Sequence, residues 1–168
     1  MILLVALGRL ISLPIPNFAP IGAMALFGTA KMKDKRLGFI VPLAALFVSD
    51  VCLQLMNGTG FHNTMIFVYG AFLLIAGIGL LLRNSASPLR LGVAALASSI
   101  SFFLITNFGV WASGIFIPGQ ELSLMAIYEL GIPFFRYTLM GDLFYVALLF
   151  GAFEWICQRY PHLAASSN

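Results

Sequence analysis

The residues that could do chemistry in this chain are few, and long apolar runs separate them. Asn17, Asp50, His62, Tyr69, Asn107, Trp111, Arg136 and Asp142 are the candidates for a ligand site. Ionisable and amide side chains are expensive in hydrocarbon, so the depth of each is the most informative property it has. Asp50 lies fourteen residues beyond Arg36, about 21 Å along its span at 1.5 Å per residue, with Gln54 one turn farther. Asn107 and Trp111 lie seventeen and twenty-one residues beyond Arg90. Tyr69 stands six residues inside the segment holding His62 and Asn63, and Asp142 stands six inside Arg136. Four spans thus carry polar or aromatic groups to a similar depth, away from the basic edge. That distribution suggests an apolar pocket with a few convergent polar groups, open on one side. Trp111 and Tyr69 would stack on a ligand while the carboxylates and amides orient it. The alternative gives the same residues to packing: Asp50 pairs with Arg136 or Arg9, Asn107 caps a backbone carbonyl, and Trp111 and Tyr69 join an interfacial aromatic belt.

Other chemistries find little support. There is no HExxH, no GxSxG, no Gly-rich phosphate loop and no pair of carboxylates on one helix, so the expectation is a protein that is not an enzyme, and no motif names a cofactor. His62 beside Asp50 or Asp142 could serve a metal or a proton relay. It has no second histidine at ligand spacing, and no metal site is expected. Cys52 and Cys157 lie in or at the end of apolar segments without CxxC spacing and read as free thiols.

The elements that must position these residues follow from composition. The chain is 61% hydrophobic and 9% charged, where a soluble domain carries about a quarter charged residues, and its mean hydropathy is +1.00. A lipid bilayer is the solvent that suits it. Spans of roughly 20 residues leave room for about six helices and no second domain. The fold class expected is therefore all-α: a polytopic membrane helix bundle over residues 1–160, followed by a disordered cytoplasmic tail at 161–168. Breaks at Pro, Gly and charge clusters give the spans Met1–Leu13, Phe18–Ala30, Leu37–Met56, Thr64–Leu82, Leu91–Ile117 and Tyr137–Ile156. Leu122–Phe135 carries Glu129 and is too short to cross, which suggests a surface helix before the last span. Met1–Leu13 lacks a basic leader and a small-x-small cleavage site and reads as a retained first helix.

Lys and Arg set the orientation. Lys31, Lys33, Lys35 and Arg36 fill one loop, Arg83 and Arg90 flank another, and Arg159 follows the last span; the opposite loops hold Arg136 alone. By the positive-inside rule both termini face the cytoplasm, in a multi-pass protein of the bacterial inner membrane. The same rule accounts for the formal net charge of +3 without nucleic acid. The partners expected are the lipid bilayer, a small-molecule solute, and energising or complex subunits.

The run Pro16-Asn17-Phe18-Ala19-Pro20-Ile21-Gly22-Ala23-Met24-Ala25-Leu26-Phe27-Gly28 resembles a family of small, uncharacterised bacterial multi-span membrane proteins. The likeness continues through Pro42, Ser49-Asp50, His62-Asn63-Thr64-Met65, Phe67-Val68-Tyr69, Thr106 to Trp111, Pro133 to Arg136, and Gly141-Asp142. In size, topology and the side of its polar cluster the chain is also similar to the S components of energy-coupling-factor transporters. That likeness implies a solute taken from the outer side. The S components carry an Ala-x3-Ala face in the first helix, whereas Ala19-x3-Ala23 falls here in the second span. The leading expectation is a solute-binding or transport subunit; the alternative is a structural or assembly subunit of a larger membrane complex.

Overall fold

The computed structural model describes residue 18 and residues 20–114 and 121–160. The expected first span Met1–Leu13, Asn17, the end of the Leu91–Ile117 span and the tail at 161–168 lie outside these. Within them the chain is all-helical: α1 Ile21–Lys31, α2 Lys35–Asn57, α3 Met65–Leu80, α4 Pro88–Ala112 and α5 Leu124–Arg159. Three of these, α2, α4 and α5, are long and apolar enough to cross a membrane, and α3 is a shorter apolar helix.

Local signals start and stop the helices. The Asp34 carboxylate accepts the Arg36 N–H at 2.8 Å and starts α2, filling one of the orphan donors of a first turn. Gly58 at φ 70° stops α2, returning its N–H to the Gln54 carbonyl, a left-handed turn that glycine adopts without steric penalty. Ser87 with Pro88 opens α4 and Ser123 opens α5. The second of these overturns the expected surface helix, because residues 122–135 and the last span form one continuous helix. Pro133 sits inside it. A proline there removes one amide donor. A full break would expose many more backbone groups, which apolar surroundings penalise more heavily.

Short as it is, α1 is the axis of the bundle. Of its residues, only Phe27 and Lys31 are not buried, and it packs against all four other helices. A helix that is apolar all round belongs in a core. Its C-terminal half lies so near α2 that a Cβ on Gly38 would stand 2.8 Å from the Thr29 Cα and 2.9 Å from the Gly28 carbonyl. Small residues permit this backbone approach where lipid supplies no hydrophobic drive between helices. Gly79 of α3 serves likewise against Leu26 and Thr29, whereas Gly70 and Gly77 face open space.

The core is largely apolar, and so is the surface of the long helices. Ile40 and Phe47 of α2, Leu73 and Leu74 of α3, Leu104 of α4, and Phe144 and Leu148 of α5 are exposed. Thr29, Ser49, Asp50, Ser98, Ser99 and Asp142 are buried. Such continuous apolar surface needs lipid to cover it, and this is a membrane protein.

Arg83 and Lys31 lie at the end of the bundle where α1 stops. Arg83, after α3, donates from Nη1 to the Thr29 carbonyl at 3.0 Å and the Met32 carbonyl at 2.8 Å, and from Nη2 to Lys33 O at 3.4 Å. It thereby satisfies carbonyls that the end of α1 leaves unpaired, at the negative pole of the helix. Lys31 lies over Phe150 and Phe153 of α5, 5.8 and 5.2 Å from the ring centroids.

Candidate functional site

The candidate site begins where α1 begins. Gly22 lies in the first turn of α1, and a Cβ there would come within 2.5 Å of Asp142 Oδ1. Only glycine lets the carboxylate of α5 rest against this turn, where free amides give the helix a positive end. The other oxygen, Oδ2, accepts the Ser99 hydroxyl of α4 at 2.7 Å. One carboxylate thus ties three helices together, at 4% exposure.

Beside it lies a cavity of about 190 Å³. Ile21 and Gly22 of α1, Leu46 of α2 and Val68, Phe72 and Ile75 of α3 form one side. Phe102 of α4 and Thr138 and Asp142 of α5 form the other, and His62 stands at the mouth. A loop histidine reaches this depth because the segment after α2 folds back on its own helix. A Cβ on Gly60 would overlap the Asp50 carbonyl, and the Phe61 N–H is held by Gln54 Oε1 at 3.0 Å. His62 itself is exposed, and its Nδ1 shares a 2.7 Å hydrogen bond with Thr64 Oγ1.

A second cavity of about 170 Å³ adjoins the first, with Phe102 and Thr138 as common walls. Thr64, Thr106, Asn107 and Gly131 also line it. The Asn107 amide donates to the Phe103 carbonyl at 2.8 Å, so its nitrogen bonds a backbone carbonyl one turn back in its own helix, the contact the packing alternative gave it.

The remaining predicted residues go elsewhere. Asp50 Oδ2 accepts the Tyr69 hydroxyl at 2.8 Å, an α2 to α3 link outside both cavities. The expected pairing of Asp50 with Arg136 is not what Arg136 does. It faces outward, stacked on Tyr137 at 4.7 Å and donating to its hydroxyl at 2.9 Å. Trp111 is 41% exposed and stacks on Phe108 at 5.7 Å. Neither Trp111 nor Arg136 lines the two cavities.

The common depth must be corrected too. Arg136 is not a loop residue, since α5 begins twelve residues before it. Measured along α4, Asp142 is level with Ser99, nine residues or about 14 Å from Arg90. That is mid-depth in a hydrocarbon core of about 30 Å. Ser99, Thr138, Phe72, Phe102 and Gly22 were not singled out for the site; the adjacent serines at 98 and 99 inside an apolar span were the available signal.

Comparison with known proteins bears on the whole chain. Residues 1–163 match the profile described as "Family of unknown function (DUF6580)". The chain belongs to the DUF6580 family. No curated protein and no solved structure matches it, so the geometry of this DUF6580 bundle carries the functional reading. Among its described residues no group of three His, Cys, Asp or Glu could hold a metal ion. What the site of this DUF6580 member offers is an apolar chamber with one buried carboxylate at its base and an imidazole at its entrance.

Proposed function

We propose that the chain is a solute-binding or transport subunit that takes up a small molecule from the outer side of a bacterial inner membrane. One observation carries this reading: the cavity of about 190 Å³ lined by residues of all five described helices, with Asp142 and His62 as its ionisable groups. Binding sites commonly combine apolar walls with a few placed polar groups, and an intramembrane carboxylate is a functional candidate by default. The basic end, read as cytoplasmic, holds Arg83 against backbone, whereas the loop with His62 lies at the other end. Access is therefore from outside, through a bundle of about six spans with both termini inside, as in the S components the chain resembles.

The test is native mass spectrometry of the full chain in nanodiscs. The wild-type protein retains a small molecule, and Thr138→Trp, which fills the wall shared by the two chambers, releases it at an unchanged unfolding temperature. A wild-type protein that carries nothing, or a Thr138→Trp protein that still carries it, overturns the reading.

The second reading, a structural or assembly subunit of a larger membrane complex, is favoured by a different feature. Between α4 and α5 runs an outward groove of about 360 Å³ lined in part by Gly92, Ala147 and Gly151. A Cβ on either glycine would meet nothing within 4 Å, leaving room for a partner helix. Gly151→Leu would then release a co-purifying subunit while leaving the solute bound.

A further inference from the structure

The chemistry of the cavity narrows its occupant, given the reading of it as a solute site. Among the described residues two carboxylates, Asp50 and Asp142, are buried, and no lysine, arginine or histidine is. Neither chamber has a lysine or arginine in its lining. Among the described guanidiniums, Arg136 lies six residues or about 9 Å from Asp142 along α5 but is exposed and turned onto Tyr137, and Arg83 is tied to the Thr29 and Met32 carbonyls, about 10 and 15 Å from Gly22 along α1. The first turn of α1 offers Asp142 a partial positive charge of about one half, and the Ser99 hydroxyl offers a dipole. Neither supplies a full countercharge.

The walls add a second preference. Phe72 and Phe102 both line the chamber, with ring centroids 5.3 Å apart at an angle of 51°. Aromatic faces in a desolvated site attract cations. The remaining lining is mostly aliphatic and cannot replace the water ligands of an inorganic ion; one carboxylate and one imidazole also fall short of a metal's usual ligand number. The volume slightly exceeds the roughly 150 Å³ that accommodates a benzene ring.

We propose that the chamber binds a small organic cation, with its ammonium group beside Asp142 and its apolar body against Phe72 and Phe102.

A thiol reporter tests this with two charged probes of known structure standing in for the solute. Thr138 lies one helical turn from Asp142 on the same face of α5, and Thr138→Cys in a Cys52→Ser, Cys157→Ser background places a single thiol in the chamber. The full chain in proteoliposomes is labelled with two methanethiosulfonates of similar size, one bearing trimethylammonium and one sulfonate. The rate ratio is compared with that of an exposed Asn57→Cys reporter. A negative chamber raises local cation concentration tenfold or more, so the expected cation preference at Thr138→Cys is at least about tenfold above the reference. Asp142→Asn keeps the side-chain size and removes the preference. A ratio equal to the reference, or one that Asp142→Asn leaves unchanged, overturns the cation assignment alone. If neither reagent labels Thr138→Cys while both label Asn57→Cys, the chamber is closed to solutes and the solute-binding reading falls with it. Should Asp142→Asn fail to fold, the ratio at Thr138→Cys still decides.

Discussion

The two halves of this bundle solve the same packing problem in opposite ways. At the basic end α1 and α2 meet backbone to backbone at Gly38, Arg83 spans to three carbonyls, and Lys31 covers two phenylalanine rings. From mid-depth toward the other end, polar side chains join the helices: Asp142 of α5 to Ser99 of α4, Asp50 of α2 to Tyr69 of α3, and Gln54 of α2 to the folded-back loop. The difference teaches where a solute can enter. Close backbone packing leaves no room for water or ligand, whereas side-chain bridges leave chambers between them.

The comparison breaks most severely if the closed half can be opened at no expense. Gly38→Val drives a branched side chain into the α1 backbone, and overpacking of that kind destabilises by up to about 3 kcal/mol. Thermal unfolding in detergent should show the largest loss of the series, with little effect on thiol labelling in the chamber. Arg83→Ala comes next. It leaves carbonyls at the end of α1 without their charged donor, a loss of about 2 kcal/mol, and Arg83→Lys should restore only part because an ammonium cannot reach carbonyls as a fork does. If either variant unfolds like the wild type, the basic end is not the lock described.

How much of this was legible in the sequence depends on what each feature rests on. Membrane class follows from composition, because exposed Leu, Ile and Phe on every long helix need hydrocarbon around them. The expected spans Leu37–Met56 and Thr64–Leu82 fall within two residues of α2 and α3 at each end, and for α2 the signals are local, the Asp34 cap and the Gly58 turn. The segment Leu122–Phe135 misled: too short to cross by itself, it read as a surface helix separate from the last span, but the two form one continuous helix. That error then misplaced Arg136 in a loop and Asp142 in the outer half. His62 and Asp142 stood out because their charge or polarity is costly in an apolar chain. Ser99, Thr138, Phe72 and Phe102 did not, since such residues are ordinary in membrane helices and only tertiary geometry brings them to one chamber.

The open half makes its own, smaller demand. Tyr69→Phe deletes the hydroxyl that Asp50 accepts, and a hydrogen bond to a charged group in a half-buried position contributes about 1.5 kcal/mol. Unfolding of the single variant should show that loss. A double-mutant cycle with Asp50→Asn should give a coupling of about 1 kcal/mol, as residues in direct contact do. Additive losses would mean that the pair does not bridge α2 and α3, and the contrast between the halves would lose one of its struts.

The smallest expected effect is also the sharpest test of where the site ends. Trp111 and Arg136 were candidates for ligand contact, yet both face outward and neither lines a chamber. Surface substitutions away from buried networks change stability by no more than about 0.5 kcal/mol. Arg136→Ala removes its contact with Tyr137 and a charge near the open half, so labelling by the cationic reagent at Thr138→Cys should shift less than about twofold, since exposed charges are screened within about 10 Å in 0.1 M salt. Trp111→Ala should leave both the unfolding temperature and the labelling ratio where they were. A large drop in the ratio for Trp111→Ala would place an aromatic contact on the entry path and move the site outward from the chamber beside Asp142 toward the end of α4.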